Sequence, residues 1–539
     1  MAIDRLGYSV ALAALCSLAA CGQSAGSASG AFNSGGASSA GSTGNQSGPG
    51  SIEIDSPSDA GAPPPEKELD QTFRAPVATG KMLWSANPDS GRVALIDAET
   101  LAVRMTNAGF GPTYLAAVPS RKGTDSAIVL NVGSHDATWL VATAKDIAAT
   151  TISTHAGANS WTVSDSGRFA IAWTNAAQIQ GGAPDSVNGY SELTVIDLSK
   201  DPPTSTRLSV GFRPSQVVFD ADAEHAYAVV DEGISVLSLG ERPGLSRLIS
   251  AASGASAAHA RDVNFAPDGS FAAVRVEGSS EVEIISLPSG ASRVLTLESA
   301  VTDLDLSADG TTATVILGNE NPPKVASFAV PVPASDPAHL DAVTIPGEVV
   351  RSVTLAPDGA VAVLYANAVA SSHVSLLKTG TEDHFGVRTV NVEGAVQAVY
   401  VSPDSATAIT LQIPPAGSKK PGLFSIIPTE SPRSPRIVGT DALPSDVVFS
   451  DATFGKALVT VHDTTSTVHG VYVIGLANLE QNFIPLSSDP LPGATGVVPG
   501  AKRGFVAQKH PEGRITFIDL STGAAQTLSG FEIAARVVH

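Results

Sequence analysis

A phrase that recurs along the chain is the feature that most constrains its fold. A short apolar run is followed by a tight turn that contains Asp, and then by a second apolar run. Asp, Pro and Gly favour a tight connection between antiparallel strands, because Pro presets φ and Gly tolerates a positive φ. The turns are mostly 41 to 57 residues apart and comprise Ser164–Gly167, Asp220–Asp222, Ala266–Gly269, Ser307–Gly310, Ala356–Gly359, Ser402–Ser405 and Ser450–Ala452.

The segments around each turn alternate with a period of two or form short apolar runs, which is typical of strands. Val263-Asn264-Phe265 stands before one turn, Phe271 to Val274 follows it, and Val282 to Leu287 supplies a third strand. No segment shows a long helical stripe. Four short antiparallel strands in each repeat predict an all-β fold, a β-propeller of four-stranded blades.

The strand before the turn, which lies nearest the axis of a propeller, predicts about ten blades. It occurs near Ala116, Trp161, Val217, Val263, Leu304, Val353, Val399, Val447, Gly496 and Val537. Seven to nine blades with extra hairpins, or two smaller rings, are alternatives. No such strand precedes Met82–Ser85, and no strand of any kind follows Arg536–His539. We therefore expect a Velcro closure in which the C-terminal strand completes the first blade.

The repeat resembles that of YVTN-type and WD40-like propellers. The resemblance lies in phrases such as Ala266-Pro267-Asp268-Gly269, Val195-Ile196-Asp197 and Ile518 to Gly523, and it covers nearly the whole body. It implies the fold and leaves the function open, because such propellers serve many functions. The Gly-His and Trp-Asp signature of true WD40 blades and the Trp motifs of quinoprotein dehydrogenases are both missing from the sequence.

The N-terminus indicates export. Arg5 precedes an apolar run from Val10 to Ala20 that is too short to span a membrane but suits a signal peptide. Leu18-Ala19-Ala20-Cys21 resembles the bacterial lipobox, which implies a lipoprotein signal peptide over 1–20 and a membrane anchor on Cys21. An ordinary signal peptide is the alternative. Gln23, rather than Asp, favours the outer membrane by the rule of that family.

Residues 21–75 separate this anchor from the propeller, which we place at 80–539. The segment from Gly22 to Gly50 consists almost wholly of small polar residues, and Pro63-Pro64-Pro65 follows. Such a segment has too little apolar surface to fold. It predicts a flexible tether that spans about 40 Å.

Composition narrows the classes of partner and cofactor. The 52 acidic and 32 basic residues give a net charge of −20, which argues against nucleic acid, since phosphate binding needs concentrated Lys and Arg. Cys16 and Cys21 are the only cysteines, so the body has no thiol for a metal or for catalysis. The 11 His residues show no ligand spacing, and Asp220-Ala221-Asp222 lacks the Gly and distal Glu of a calcium loop. We predict no cofactor, no metal and no catalytic residue.

A weaker cluster lies where the innermost strands begin. Alignment of the repeats places polar residues at one equivalent position around the predicted channel mouth, with basic residues nearby. Candidate binding residues there are Asp262, Asp303, Asp446, Arg261, Arg351 and Gln216. They either bind a ligand or satisfy loop amides and one another.

Three functions follow from these observations. The first is a cell-envelope lipoprotein, on the periplasmic or surface face, that presents the propeller as a binding surface for an envelope protein or polysaccharide. The second is a lactonase-like hydrolase with its site at the central channel, and the third is a structural protein of the surface.

Overall fold

The computed structural model describes residues 75–119, 124–179, 190–251, 261–330, 341–379, 386–430, 432–462, 468–486, 491–510 and 512–534. They form ten antiparallel sheets of four strands each, with two 3₁₀ turns and one helical turn, α1 (Phe531–Ala534). Each sheet is one blade and uses four strands that are consecutive in the sequence.

Blades 1 to 5 take up the first half of the propeller. Their strands are β1 (Val77–Thr79), β2 (Met82–Asn87), β3 (Arg92–Asp97), β4 (Val103–Asn107); β5 (Pro112–Val118), β6 (Ser126–Asn131), β7 (Asp136–Ala142), β8 (Ile147–Ser153); β9 (Ser160–Val163), β10 (Phe169–Trp173), β11 (Glu192–Asp197), β12 (Thr204–Ser209); β13 (Gln216–Phe219), β14 (His225–Val230), β15 (Gly233–Ser238), β16 (Gly244–Ser250); β17 (Arg261–Phe265), β18 (Phe271–Val276), β19 (Glu281–Ser286) and β20 (Ser292–Thr296).

Blades 6 to 10 follow the same plan. Their strands are β21 (Asp303–Leu306), β22 (Thr312–Leu317), β23 (Lys324–Ala329), β24 (Asp341–Thr344); β25 (Ser352–Leu355), β26 (Val361–Tyr365), β27 (His373–Lys378), β28 (Val387–Asn391); β29 (Ala395–Val401), β30 (Thr407–Ile413), β31 (Gly422–Pro428), β32 (Arg436–Thr440); β33 (Leu443–Phe449), β34 (Lys456–His462), β35 (Gly470–Gly475), β36 (Glu480–Pro485); β37 (Pro492–Val498), β38 (Arg503–Gln508), β39 (Arg514–Asp519) and β40 (Ala525–Ser529).

The recurrent Asp turn joins the first two strands of a blade. In blade 5, Asp268 Oδ1 accepts the Ser270 N–H at 2.9 Å, and Gly269 has a φ of +69°. In blade 6, Asp309 Oδ1 accepts the Thr311 N–H at 3.0 Å. These carboxylates therefore stabilise the turn itself, which is the usual role of Asp in such positions.

Buried apolar side chains fill the interfaces between blades. The described residues form ten apolar clusters, and each joins two adjacent blades. Nine of them join blades that follow one another in the sequence, and the tenth joins blade 10 to blade 1. The blades thus form one closed ring. The prediction of about ten blades is confirmed, and the alternatives of fewer blades or of two rings are wrong.

The predicted Velcro closure is not how the first blade is completed. Its innermost position is occupied by β1, which pairs with β2 in a register that sets Val77 opposite Trp84. The short β1 was missed because only three residues of it belong to the sheet. Residues 536–539, which we expected in that position, lie outside the described residues.

Side-chain packing closes the seam between blades 10 and 1 instead. β1 lies beside β37, and the Gly500 N–H donates to the Gly80 carbonyl at 3.1 Å. Phe531 of α1 is 5% exposed and packs in the same cluster as Leu83 of blade 1. The C-terminal end of the described chain therefore contributes to the seam through a buried side chain.

Arginines on outermost strands add a second kind of contact between blades. Arg104 of β4 donates to the Thr143 carbonyl at 2.5 Å, and Arg247 of β16 donates to the Leu287 carbonyl, also at 2.5 Å. Arg388 of β28 bonds the Pro428 carbonyl in the same way. Each guanidinium thus ties the rim of its own blade to the last residue of the third strand of the next blade, or to the residue after it.

The antiparallel order sorts the loops onto two faces. The loops between the second and third strands lie on one face of the ring together with the loops that lead to the next blade. We call this face the upper face. The Asp turns and the loops between the third and fourth strands form the lower face. Among the described residues, no helix has the length and apolar character needed to cross a membrane.

Candidate functional site: the channel mouth and the upper face

Two of the predicted acids meet at the upper end of the innermost strands. Asp262 lies in β17 of blade 5 and Asp303 begins β21 of blade 6. Arg275 of β18, which the register places opposite Asp262, lies between them. Its Nε is 3.1 Å from Asp262 Oδ2, and its Nη2 is 3.9 Å from Asp303 Oδ1. The two carboxylates therefore share one guanidinium across the blade interface.

Asp303 is the most buried of these groups, with 5% of the residue exposed. Burial raises the pKa of Asp303 to about 7, although Arg275 and a hydrogen bond from the Val353 N–H both act against this rise. That bond, 2.8 Å long, runs to Oδ2 from the innermost strand of blade 7. Asp303 thus joins blades 5, 6 and 7.

Neighbouring side chains make the same kind of lateral contact. Asp305 Oδ2 accepts the Leu355 N–H of blade 7 at 2.8 Å. Asn264 of blade 5 donates from Nδ2 to the Leu304 carbonyl of blade 6 at 3.1 Å. These side chains replace the hydrogen bonds that adjacent innermost strands do not form with each other, because those strands belong to different sheets.

Asp446 does not join this cluster. It lies in β33 of blade 9, three blades from Asp303. Burial raises the pKa of Asp446 to about 6. Burial, and after it the charge of Asp446, raises the pKa of Tyr400 in blade 8. The structure therefore brings together two of the three predicted acids.

The predicted basic and amide residues have separate positions. Arg261 donates to the carbonyls of Val230 at 3.3 Å and Asp231 at 3.1 Å, both at the end of β14. The Arg351 carbonyl accepts the Thr302 hydroxyl at 2.8 Å. Gln216 begins β13 opposite Val229 and is half-buried. Arg261 thus stabilises the loop of the preceding blade.

Arg275 is the residue of the channel mouth that we had not predicted. The signal in the sequence is a single Arg in an otherwise apolar run, Phe271 to Val276. A charge in such a run indicates a buried ionic partner, since buried charges are almost always paired. The partner itself cannot be read from the run.

The described ranges contain no group of three or more His, Cys, Asp or Glu side chains that could hold a metal ion. Cys21, the predicted lipidation site, lies outside the described residues. Of the charges at the mouth, Asp262 and Asp303 are matched to Arg275.

The upper face also carries exposed apolar side chains. Phe110 is 74% exposed, and its neighbour Val132 is 38% exposed. Val349, Ile413 and Leu443 are exposed on other upper loops and strand ends, whereas Leu245, Leu248, Val294, Val387 and Phe483 are exposed on outermost strands. Among the described residues, the lower-face loops carry no large exposed apolar side chain.

Comparisons with known proteins give no family. No family model and no curated protein matches the chain. A solved eukaryotic initiation factor is 13% identical, with 77% of this chain and 96% of that chain covered and a TM-score of 0.48. Dihydro-heme d1 dehydrogenase NirN is 12% identical, with 66% and 76% covered and a TM-score of 0.39. The β-propeller domain of Cps50 (Swd1) from Myceliophteria thermophila is 10% identical, with 55% and 92% covered and a TM-score of 0.32. At such identities and TM-scores we assign neither family nor function from them.

Proposed function

We propose that this protein is a bacterial cell-envelope lipoprotein that presents its propeller as a binding surface for an envelope protein or polysaccharide. The observation that carries the binding part is the pair of exposed apolar side chains Phe110 and Val132, which lie together on the upper face. Apolar side chains on exposed loops of a rigid scaffold mark interaction sites when they lie together.

The membrane part of the proposal rests on the sequence before the propeller. The Leu18-Ala19-Ala20-Cys21 motif supplies a lipid anchor, and the 21–75 segment supplies the tether. The chain enters the propeller at β1, whose first residue lies at the upper end of an innermost strand. With an outer-membrane anchor, the protein has both the attachment and the reach to meet partners in the envelope.

Replacing the anchor cysteine tests this proposal. We expect Cys21→Ser to abolish labelling by radioactive palmitate and to release the protein from the membrane fraction, because the thiol is the site of lipidation. Cys16→Ser is the matched control and should keep both the label and the membrane association. Equal labelling of the wild type and Cys21→Ser would overturn the lipoprotein assignment.

A further inference from the structure

We propose that Phe110 is the anchor of a docking site for a protein segment that carries an arginine beside an aromatic or apolar side chain. The inference rests on the proposed binding function and adds the chemistry of the partner. It follows from the geometry of the Phe110 loop and from a second copy of that loop elsewhere in the ring.

The Phe110 loop is held rigidly by its neighbour. The Phe110 N–H donates to Ser134 Oγ at 2.9 Å, and the Phe110 carbonyl accepts the Gly133 N–H at 2.9 Å. The Val132 N–H donates to the Gly111 carbonyl at 3.0 Å. A partner would therefore meet an aromatic ring whose backbone is already ordered, which lowers the entropic cost of binding.

Glycines make this display possible. A Cβ at Gly109 would lie 2.5 Å from Ser134 Oγ, and a Cβ at Gly133 would lie 2.2 Å from Cδ1 of Phe110. Gly111 has a φ of +67°. The loop thus combines close backbone contact with a bulky ring that points away from the core.

The loop between blades 3 and 4 has the same design. Gly211-Phe212-Arg213-Pro214 corresponds to Gly109-Phe110-Gly111-Pro112. The Phe212 N–H donates to Glu232 Oε2 at 2.8 Å, and the Phe212 carbonyl accepts the Asp231 N–H at 2.8 Å. These bonds match those of Phe110 with Ser134 and Gly133.

Phe212, unlike Phe110, is covered by the protein itself. The guanidinium carbon of Arg213 lies 5.1 Å from the centre of the Phe212 ring, and Asp231 holds that guanidinium through a 2.6 Å ion pair. Tyr190 packs against the same ring edge-on, with ring centres 6.3 Å apart. A phenylalanine in this loop therefore accommodates a cation and an aromatic edge.

Glycine stands at both equivalent positions in blade 2. Gly111 corresponds to Arg213 in the sequence, and Gly133 corresponds to Asp231 because the N–H of each donates to the phenylalanine carbonyl, so the covering ion pair is missing there. In the part of the chain that the structure describes, no ring or cation contacts Phe110. We infer that a partner supplies the arginine and the apolar edge, while Val132 extends the apolar contact.

Electrostatics favour the same partner. A cation over an aromatic face is attracted by the ring quadrupole, and arginine makes this contact more often than lysine. The net charge of −20 also draws basic segments toward the protein. A lipid surface or a second copy of this acidic chain fits this chemistry less well.

Site-specific photo-crosslinking in cells tests the proposal on the full chain. The photoreactive amino acid p-benzoylphenylalanine replaces Phe110 or, as a control, Val294, which is 50% exposed on β20. We expect a protein adduct at position 110 only, mapped by mass spectrometry to a segment with an arginine next to an aromatic or apolar residue. A synthetic peptide of that segment should bind, and its Arg→Ala version should not. No adduct above the control, or an adduct with lipid, with a second copy of this chain or with an acidic segment, would overturn the proposal.

Variants of the loop give a second measurement with the same peptide. Phe110→Ala should weaken binding by at least about tenfold, as expected for an aromatic anchor, whereas Phe110→Tyr and Val294→Ala should bind as the wild type does. Gly111→Arg should also block binding, because it supplies the arginine that Arg213 supplies in blade 4, at a similar φ. Unchanged binding by both Phe110→Ala and Gly111→Arg would contradict the proposal. If the wild type is not labelled by palmitate but position 110 still forms the expected crosslink, only the lipid anchor is rejected.

Discussion

At the scale of single residues, the buried carboxylate of Asp303 at the channel mouth links three adjacent blades. Asp303 accepts a backbone N–H from blade 7 and shares Arg275 with Asp262 of blade 5. Innermost strands of adjacent blades present backbone groups to one another without forming a ladder, and an unpaired buried N–H is costly. Short acidic side chains satisfy those groups and hold the blades in register.

The raised pKa of Asp303 makes a prediction about pH. The folded protein holds this proton up to about pH 7, whereas the unfolded chain releases it near its ordinary pKa of 3.8. The stabilising contribution of this proton is therefore complete below about pH 4. It falls progressively as the pH rises and is lost above about pH 7. We expect Asp303→Asn to flatten the fall in the free energy of unfolding between pH 6 and 7, where one proton contributes at most about 1.4 kcal/mol per pH unit. Denaturant unfolding across this range measures it.

Asp446→Asn is the matched control for this experiment. Burial raises the pKa of Asp446 only to about 6, so this variant should act mainly below pH 6 and leave the slope between pH 6 and 7 in place. If the free energy of unfolding of Asp303→Asn still falls between pH 6 and 7, another group titrates in that range.

At the scale of elements, the seam between blades 10 and 1 differs from the other interfaces. It includes α1, which follows the last strand, and Phe531 fills a space beside Gly513 where a Cβ would lie 2.5 Å from the ring. Glu532 of the same helix lies 3.3 Å from Ser90 Oγ of blade 1. The helical turn therefore bridges blades 10 and 1.

Removing the Phe531 side chain should weaken the whole ring. We expect Phe531→Ala to lower the free energy of unfolding by about 3 kcal/mol, because a buried aromatic ring is lost and a cavity remains. Thermal and denaturant unfolding measure this loss. The control Val294→Ala, at an exposed site on β20, should change stability by less than about 0.5 kcal/mol. If Phe531→Ala unfolded like this control, α1 would not contribute to closure.

At the scale of the whole molecule, ten contiguous blades form a ring whose seam is closed by side-chain packing and a few hydrogen bonds, without a described strand shared between blades. No strand of the described residues pairs with a blade other than its own. Each interface has its own apolar cluster, and the clusters follow one another around the ring. Stability therefore combines the intrinsic stability of the blades with ten contacts between neighbours, as in other repeat proteins.

This arrangement predicts tolerance of a circular permutation between blades. New termini between Thr440 and Leu443, with the old ends joined by a flexible linker, leave all ten sheets contiguous. We expect this permutant to melt within about 5 °C of the wild type, since loop closure changes stability by only a few tenths to about 1 kcal/mol. New termini inside blade 9, between β34 and β35, are the comparison, because that cut separates two paired strands. Equal destabilisation by both cuts would contradict blade-by-blade assembly.

The sequence alone determined the features that depend on local contacts. Alternation and the Asp turns predicted the strands and the all-β class, because a strand exposes alternate residues and a tight turn restricts φ within a few positions. Counting innermost strands predicted about ten blades, although one of the ten was sought at Val537 and lies at Val77–Thr79 instead. Such a short strand carries too little pattern to be found without its partner.

Only the tertiary structure decided the features that join distant parts of the chain. The seam brings Phe531 beside Leu83, and the channel mouth joins Asp262, Arg275 and Asp303 while it leaves Asp446 on another blade. It also decided that Phe212 is covered and Phe110 exposed, although both lie in Gly-Phe-x-Pro loops. The physical reason is that a side chain's environment depends on neighbouring blades, whose placement follows from closure of the ring and not from the residues next to it in the sequence.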